Sequence, residues 1–252
     1  MKNRKYPVCN NKTNKIQLVK NEYKIVECTN CNHVYVLNPN EDTGSPLGGD
    51  AKIDNYKTRH YQMYKLIKNL YQDKNNINIA EIGSGIGNFA HLISKDEKIK
   101  YIGYEPSKGR YEFSKKYNLN TKNELFKISE DFYDVVILDN VLEHMKNPSY
   151  IFDIVSKSLK SGGAFIVIVP NKNDIRRFMP KWKARHYWQP NCHINYFTFD
   201  NLKYLSKQNN MKLYNFGLDT LKKENSIFLK IKTFLDIYGL HIGGLYTYAI
   251  KQ

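Results

Sequence analysis

The chain has 252 residues, 39 Lys and Arg against 24 Asp and Glu, and a formal charge of +15. Its 41% hydrophobic and 13% aromatic content is enough to build a core and excludes global disorder. At ~100–200 residues per domain, the length suits one sizeable domain with a small appendage. The longest apolar run, Ala164 to Val169, is strand-sized and far short of the ~20 residues of a membrane helix, so no membrane span is expected. Met1 to Lys5 leads into no apolar h-region, so a cytoplasmic protein is expected, with its four cysteines as thiols or metal ligands rather than disulfides. The charge suits an acidic partner such as nucleic acid, an anionic membrane surface or a phosphorylated small molecule. An Asn-, Lys-, Ile- and Tyr-heavy composition produces the same balance with no partner at all.

Residues 1–50 read as a small cysteine-bearing, ribbon-like module and linker. Short strands are predicted at Lys15 to Val19, Tyr23 to Val26 and Val34 to Leu37, and Asn-Pro-Asn, Thr-Gly-Ser-Pro and Gly-Gly between Asn38 and Asp50 mark the linker. Residues 51–252 read as the main domain. Tyr56, His60, Met63, Tyr64, Ile67 and Leu70 recur at helical spacing. Strands are then predicted at Ile77 to Ile82, Lys100 to Tyr104, Asp134 to Leu138 and Ala164 to Val169. Helices are predicted between them at Gly87 to Ser94, Ser107 to Tyr117 and Pro148 to Leu159. Runs such as Val135-Val136-Ile137-Leu138 lack polar alternation, as strands buried on both faces do. The alternation predicts a doubly wound α/β fold, a mostly parallel sheet with helices on both faces. Asn171 to Gln189 breaks it with Arg176, Arg177, Lys181, Lys183 and Arg185 among Phe178, Trp182, Tyr187 and Trp188. Beyond a strand's carboxyl end, such a segment predicts a lid over about 171–199.

The sharpest motif is Glu81-Ile82-Gly83-Ser84-Gly85-Ile86-Gly87. A buried strand ends in an acid, and glycines at alternate positions turn the backbone sharply and let it approach a ligand without a Cβ in the way. The spacing is neither the G-x-G-x-x-G of dinucleotide binders nor a P-loop. The next strand ends in Glu105, where an acid can take both hydroxyls of a ribose.

With these features the chain resembles the class I S-adenosylmethionine-dependent methyltransferases over roughly Tyr56 to Tyr214. Asp134-Val135-Val136 through Leu142-Glu143-His144 is similar to the family's fourth-strand segment. Lys160-Ser161-Gly162-Gly163 through Pro170-Asn171 is similar to its next strand. His193-Ile194-Asn195-Tyr196-Phe197-Thr198 resembles an element of one bacterial subgroup. The resemblance implies a Rossmann-like fold and S-adenosylmethionine as cofactor. It places Gly83, Ser84, Gly85 and Gly87 under the methionine part, Glu81 at the loop and the cofactor's amino group, and Glu105 at the ribose. Tyr104 or Pro106 would flank the adenine, with Asn123 and Glu124 as the polar candidates there. Asp139 and Asn140 would face the methyl-transfer centre.

Methyl transfer from a sulfonium needs an aligned nucleophile and, for a hydroxyl, removal of its proton. His144 is the first candidate base, because it follows the fourth strand and imidazole titrates near neutral pH. A structural or substrate-orienting role for Glu143-His144 stands beside that reading. His193 and His186, in or beside the lid, are further candidates. Some O-methyltransferases, small-RNA ribose methyltransferases among them, resemble this region and carry E-x-x-E-H plus a distant His around a divalent cation. The matching positions here are Asn140, Glu143, His144 and His193. Asn140 removes a charge that a hard cation favours, so transfer without a metal is expected.

Tyr6-Pro7-Val8-Cys9 and Cys28-Thr29-Asn30-Cys31-Asn32-His33 resemble the knuckles of the zinc ribbons that precede some bacterial sugar methyltransferases. Tyr6 stands where the first cysteine belongs. Cys9, Cys28, Cys31 and His33 are the candidate ligands of a structural zinc, and a vestigial, apolar-packed module is the alternative. Cys192 reads as an incidental thiol.

The resemblance and the basic lid together favour a methyltransferase acting on a sugar, sugar nucleotide or other phosphorylated precursor of bacterial capsule or surface polysaccharide. Guanidinium groups suit a phosphate, and Trp182 and Trp188 suit stacking on a sugar or base. RNA ribose 2′-O-methylation is the alternative that uses the +15 charge, although nucleic acid is the less expected partner. Base N-methylation is disfavoured because no Asn/Asp-Pro-Pro-aromatic motif follows the fourth strand. A cofactor-binding scaffold without catalysis is the third reading, and the intact Glu81, glycine loop and Glu105 argue against it.

Overall fold

The computed structural model describes residues 7–9, 13–40, 51–179, 188–216 and 243–252. In chain order the strands are β1 (Asn14–Lys20), β2 (Tyr23–Cys28), β3 (Val34–Val36), β4 (Ile77–Ile82), β5 (Ile99–Tyr104), β6 (Thr121–Lys122), β7 (Tyr133–Asp139), β8 (Leu159–Pro170), β9 (Asn195–Tyr196), β10 (Met211–Asn215) and β11 (Gly244–Lys251). The α-helices are α1 (Thr58–Leu70), α2 (Asn88–Ile93), α3 (Lys108–Lys115), α4 (Pro148–Ser158) and α5 (Phe199–Gln208). Two 3₁₀ turns, Leu142–His144 and Ile175–Phe178, follow β7 and β8.

Seven strands form the main sheet in the order β10-β11-β8-β7-β4-β5-β6. β6, β5, β4, β7 and β8 are parallel, whereas β11 runs antiparallel to both β8 and β10. The fold is Rossmann-like, as the strand–helix alternation predicts. Alternate residues of the central strands feed two separate cores. Val136 and Leu138 of β7 join Phe152 and Val155 of α4 and Leu202 and Leu205 of α5. Val135 and Ile137 join Met63 and Ile67 of α1 and Phe89 and Ile93 of α2. Period-2 alternation in a strand covered on both faces explains why every position of β7 up to Leu138 is buried. α4 starts at Pro148, with the Asn147 side chain accepting the Tyr150 N–H, the combination that N-termini favour.

A second, antiparallel sheet has the order β1-β2-β3-β9. Its fourth strand comes from beyond residue 190: Val34 pairs with Tyr196 and Tyr35 with Asn195. The sheet is therefore shared between the N-terminal residues and the segment that follows the predicted lid. β6, β9, β10 and β11 lie outside the sequence-predicted strands. β6 and β9 have two residues each, too short for periodicity to register. β11 buries Leu245, Thr247 and Ala249 and leaves the intervening tyrosines half-buried, a weaker pattern than the continuous apolar runs of β7 and β8.

Candidate active site

The parallel strands end side by side, and their carboxyl ends carry the polar residues that the sequence singles out. After β4 the chain turns through Gly83 at φ +71°, where an added Cβ would stand 2.6 Å from a Val141 methyl. Gly85 follows at φ +59°, and a Cβ there would meet no atom within 4 Å. Bare, left-handed backbone facing open space is what a close-lying ligand requires. Ser84 is buried between the two, and Gly87 precedes α2.

The buried Glu105 ties this loop to the end of β5. Its carboxylate accepts the Gly85 N–H through Oε2 and the Ser107 N–H through Oε1, both at 2.8 Å. Asn123 donates to the carbonyls of Glu105 and Pro106 at 2.9 and 3.0 Å. Glu124 pairs with Lys127 at 2.9 Å and Lys122 at 3.7 Å. Tyr104 is turned into the core, its hydroxyl 3.0 Å from that of Tyr133, which leaves Pro106 as the exposed residue beside Glu105. Glu81, at the end of β4, is buried and accepts a hydrogen bond from the Tyr101 hydroxyl. Burial pushes its carboxyl up to about 8; the Tyr101 bond opposes the rise and the Asp139 charge adds to it.

At the end of β7, Asp139 receives Arg59 Nε of α1 at 2.6 Å and faces His60 Nε2 at 3.4 Å. Asn140, at φ +53°, donates to Asp139 through its side chain at 2.6 Å. Burial alone would raise the Asp139 carboxyl, but His60 and Arg59 outweigh it and hold it below the usual carboxylate range. Next come Glu143 and His144 in the 3₁₀ turn. Glu143 is 1% exposed, and neither of its carboxyl oxygens has a hydrogen-bond partner among the described residues. Burial pushes it up to about 8, with the Asp139 charge adding. His144 Nδ1 lies 2.8 Å from the Cys192 carbonyl. A carbonyl only accepts, so Nδ1 carries the proton and Nε2, 3.9 Å from Glu143 Oε1, is left as an acceptor. The His193 ring stands edge-on to His144 with centroids 5.1 Å apart. Burial, reinforced by His144, lowers His193 to about 4. One ligand atom from each of Glu143, His144 and His193 lies within 4.8 Å of the other two. Beside them opens a cavity of about 250 Å³ lined by residues that include Arg59, Asn140, Asn171, Arg176, His193 and Tyr246.

Residues 56–215 match a family model described as a methyltransferase domain. The chain belongs to this methyltransferase family. A ubiquinone biosynthesis O-methyltransferase of Dictyostelium discoideum is 28% identical over 115 residues, which are 38% of this chain and 36% of that one. The match thus spans about a third of that relative's length. Among solved structures, the plantazolicin methyltransferase BpumL, in complex with a desmethyl plantazolicin analogue and S-adenosylhomocysteine, superposes with a TM-score of 0.57 at 16% identity. The match covers 79% of this chain and 87% of that one. An S-adenosylmethionine-dependent methyltransferase from Mesorhizobium loti gives 0.55 at 11% identity, covering 79% and 100%. These two likenesses concern the fold.

The methyltransferase uses S-adenosylmethionine, and its residues fit that group: bare Gly85 backbone, a buried carboxylate at Glu105 and a second acid at Glu81. The structure brings together Glu81, Gly83, Ser84, Gly85, Gly87, Glu105 and Asn123 on one side, and Asp139, Asn140, His144 and His193 on the other. It leaves Glu124 outside. Arg59 and His60 are site residues that the sequence reading missed; His60 shows there only as a position on the periodic face of α1. Among the described residues of the predicted lid, Arg176 pairs with Asp174 at 2.6 Å, Lys172 lies 3.6 Å from Glu27, and Arg177 donates to the Lys172 carbonyl. Lys181, Trp182, Lys183, Arg185, His186 and Tyr187 lie outside the described residues. Cys192, read as incidental, supplies the carbonyl that fixes His144.

The three cysteines do come together. Their sulfurs lie within 4.8 Å of one another, and Cys9 and Cys28 are 3.4 Å apart. His33 does not join them. Its ring is buried between Tyr35 and Phe197, with Nε2 3.2 Å from Asn195 Oδ1 and Nδ1 3.4 Å from Asn201 Oδ1. Tyr6 lies outside the described residues. No helix among the described residues is long and apolar enough to cross a membrane.

Proposed function

We propose that this methyltransferase methylates a hydroxyl of a small anionic acceptor, a sugar phosphate or sugar nucleotide of bacterial surface-polysaccharide assembly, in the cytoplasm. The observation that carries the oxygen chemistry is the His144 imidazole, whose Nδ1–H is fixed by the Cys192 carbonyl and whose Nε2 remains free to take a proton beside the acceptor cavity. Bound S-adenosylmethionine supplies a methyl group already activated by its sulfonium. Gly83 to Gly87 would hold the methionine part, Glu105 would take the ribose hydroxyls with Asn123 holding the backbone beside it, and Glu81 would receive the amino group. His144 Nε2 would take the hydroxyl proton as the oxygen–methyl bond forms and the methyl–sulfur bond breaks, with S-adenosylhomocysteine as the leaving group, and His193, kept neutral by burial, would bound the acceptor. Asp139 is committed to Arg59 and His60, so its role is to fix α1 and Asn140 against the cavity. Arg59, Lys172 and Arg176 give the cleft its cations, and the O-methyltransferase relative supports an oxygen nucleophile. Methyl-labelled S-adenosylmethionine, offered with a panel of sugar nucleotides, sugar phosphates and RNA, tests the reading. Label on a sugar hydroxyl is expected, and label on RNA alone would replace it with ribose methylation.

A second reading is favoured by the Glu143 carboxyl, which has no hydrogen-bond partner among the described residues. With His144 and His193 it makes a one-carboxylate, two-imidazole set that suits a borderline divalent metal better than magnesium. Such an ion would lower the pKa of a coordinated hydroxyl. Activity unchanged after dialysis against a chelator sinks it. For the N-terminal module, the three thiols are the candidate ligands of one structural zinc, which needs a fourth donor. Zinc absent from the purified protein by elemental analysis counts against it.

A further inference from the structure

His33 stands just before β3, its ring packed against Tyr35 and Phe197, and one of its nitrogens is linked through a single side chain to the turn that carries His144. Asn195, 2% exposed, is the link between them. Its Nδ2 donates to the carbonyls of Leu142 at 3.3 Å, Glu143 at 3.4 Å and Met145 at 2.8 Å. The Met145 N–H already reaches the Leu142 carbonyl at 3.2 Å, but the carbonyls of Glu143 and Met145 lie beyond the turn's own donors, and this one amide reaches all three. Because Nδ2 points at carbonyls, the amide orientation is set, and Oδ1 must accept; His33 Nε2 stands 3.2 Å from it. The Asn201 amide is likewise oriented, with Nδ2 donating to the Cys31 carbonyl at 2.8 Å and Oδ1 accepting the Thr198 N–H at 3.1 Å, so it needs no donor from His33. Backbone bonds run alongside: Val36 N–H to the Ile194 carbonyl at 3.0 Å, and Ile194 N–H to the Glu143 carbonyl at 2.9 Å.

We infer that His33 and Asn195 are positioning residues of the active site: a buried relay through which the N-terminal sheet sets the His144 turn and the neighbouring His193. The inference rests on the proposed role of that imidazole pair but needs no assumption about the acceptor. His33 touches neither histidine. It acts by fixing the amide that holds Leu142, Glu143 and Met145, and β9 carries the constraint to residue 193. A buried network of this kind acts as a unit, because leaving any one of its polar groups unmatched is costly.

The test uses the full chain with 15N-labelled histidine and S-adenosylhomocysteine as probe. His33→Phe keeps the ring packed between Tyr35 and Phe197 and removes both nitrogens. Its expected result is displaced or broadened His144 and His193 ring signals, with S-adenosylhomocysteine affinity kept within about twofold of the unaltered chain. His33→Gln, whose amide can donate to Asn195 Oδ1, is expected to restore them. Unmoved ring signals in His33→Phe, or failure of His33→Gln to restore them, overturn the inference. Because a buried aromatic replacement can cost the fold, Asn195→Ser is read in parallel, since it leaves His33 packed and removes the amide. Displaced signals with the probe still bound support the relay, and unmoved signals overturn it. Neither readout needs the acceptor, so a wrong sugar assignment fails separately.

Discussion

The two halves of the cleft are built differently. The cofactor half comes from one continuous stretch, Ile77 to Asn123, in which each functional residue lies at or near a strand end and is held by a neighbouring element. The acceptor half is gathered from α1, the turn after β7, the residues after β8, β9 and the segment at 243–246. The first is a local solution to binding one fixed molecule. The second depends on distant segments meeting, which leaves each free to change without disturbing cofactor binding.

The largest expected effect lies in the cofactor half. Glu105→Ala removes a buried carboxylate that accepts two backbone N–H groups and that the proposed function assigns to the ribose. S-adenosylhomocysteine affinity should drop about 100-fold, on the order of 3 kcal/mol by calorimetry; a loss under threefold would break the assignment. In the acceptor half, Arg59→Ala takes the bonded guanidinium from the nearly buried Asp139 carboxylate and leaves it Asn140 and His60. A loss of ~3 kcal/mol in urea unfolding is expected, with Asp139→Asn recovering part of it in the double variant. His144→Ala should lower kcat by ~10²-fold, about 2.7 kcal/mol of barrier, while leaving cofactor affinity nearly unchanged. A matched loss of both would mean that the halves are not independent.

The acids supply a pH test. Glu143 is raised from 4.5 to about 8 on folding, so the folded chain holds its proton more tightly than the unfolded one. Its stabilising contribution is therefore full below about 4.5 and is lost as pH rises towards 8. Glu81 contributes in the same direction and window. His193 acts oppositely: lowered from 6.5 to about 4, it contributes stability that is lost as pH falls from 6.5. Glu143→Gln should flatten part of the decline in melting temperature between pH 5 and 8 and leave the acid side unchanged; an unaltered profile would place the proton elsewhere. The smallest effect is on the surface, where Lys157→Ala breaks an exposed i,i+4 pair with Asp153 that solvent screens, and should leave the melting temperature essentially unchanged.

How far each half was legible follows from the same contrast. Glu81, the glycines and Glu105 declare themselves because strand period, glycine spacing and acid position all fall within about thirty residues of sequence. β4, β5, β7 and β8 were equally readable, since strands covered on both faces leave unbroken apolar runs. Arg59 gave no sign of itself: one cation on a Lys-rich chain becomes meaningful only when α1 lays it against Asp139. His33 misled for a related reason. Standing two residues after Cys31 it has the spacing of a metal ligand, and only tertiary contact with Asn195 and Asn201 turns it away. Glu124, next to Asn123 in sequence, was separated from it by nothing that periodicity encodes.

The shared small sheet also bears on the order in which the molecule is made. His33 and its partner Asn195 are 162 residues apart. At a synthesis rate of ~5–20 residues per second, β3 waits roughly ten to thirty seconds for β9 to leave the ribosome. During that interval the N-terminal sheet has an open edge at β3, with Val34, Tyr35 and Val36 uncovered by their eventual neighbours. The segment translated early is thus completed late, and until β9 emerges the β3 edge stays open to other strands.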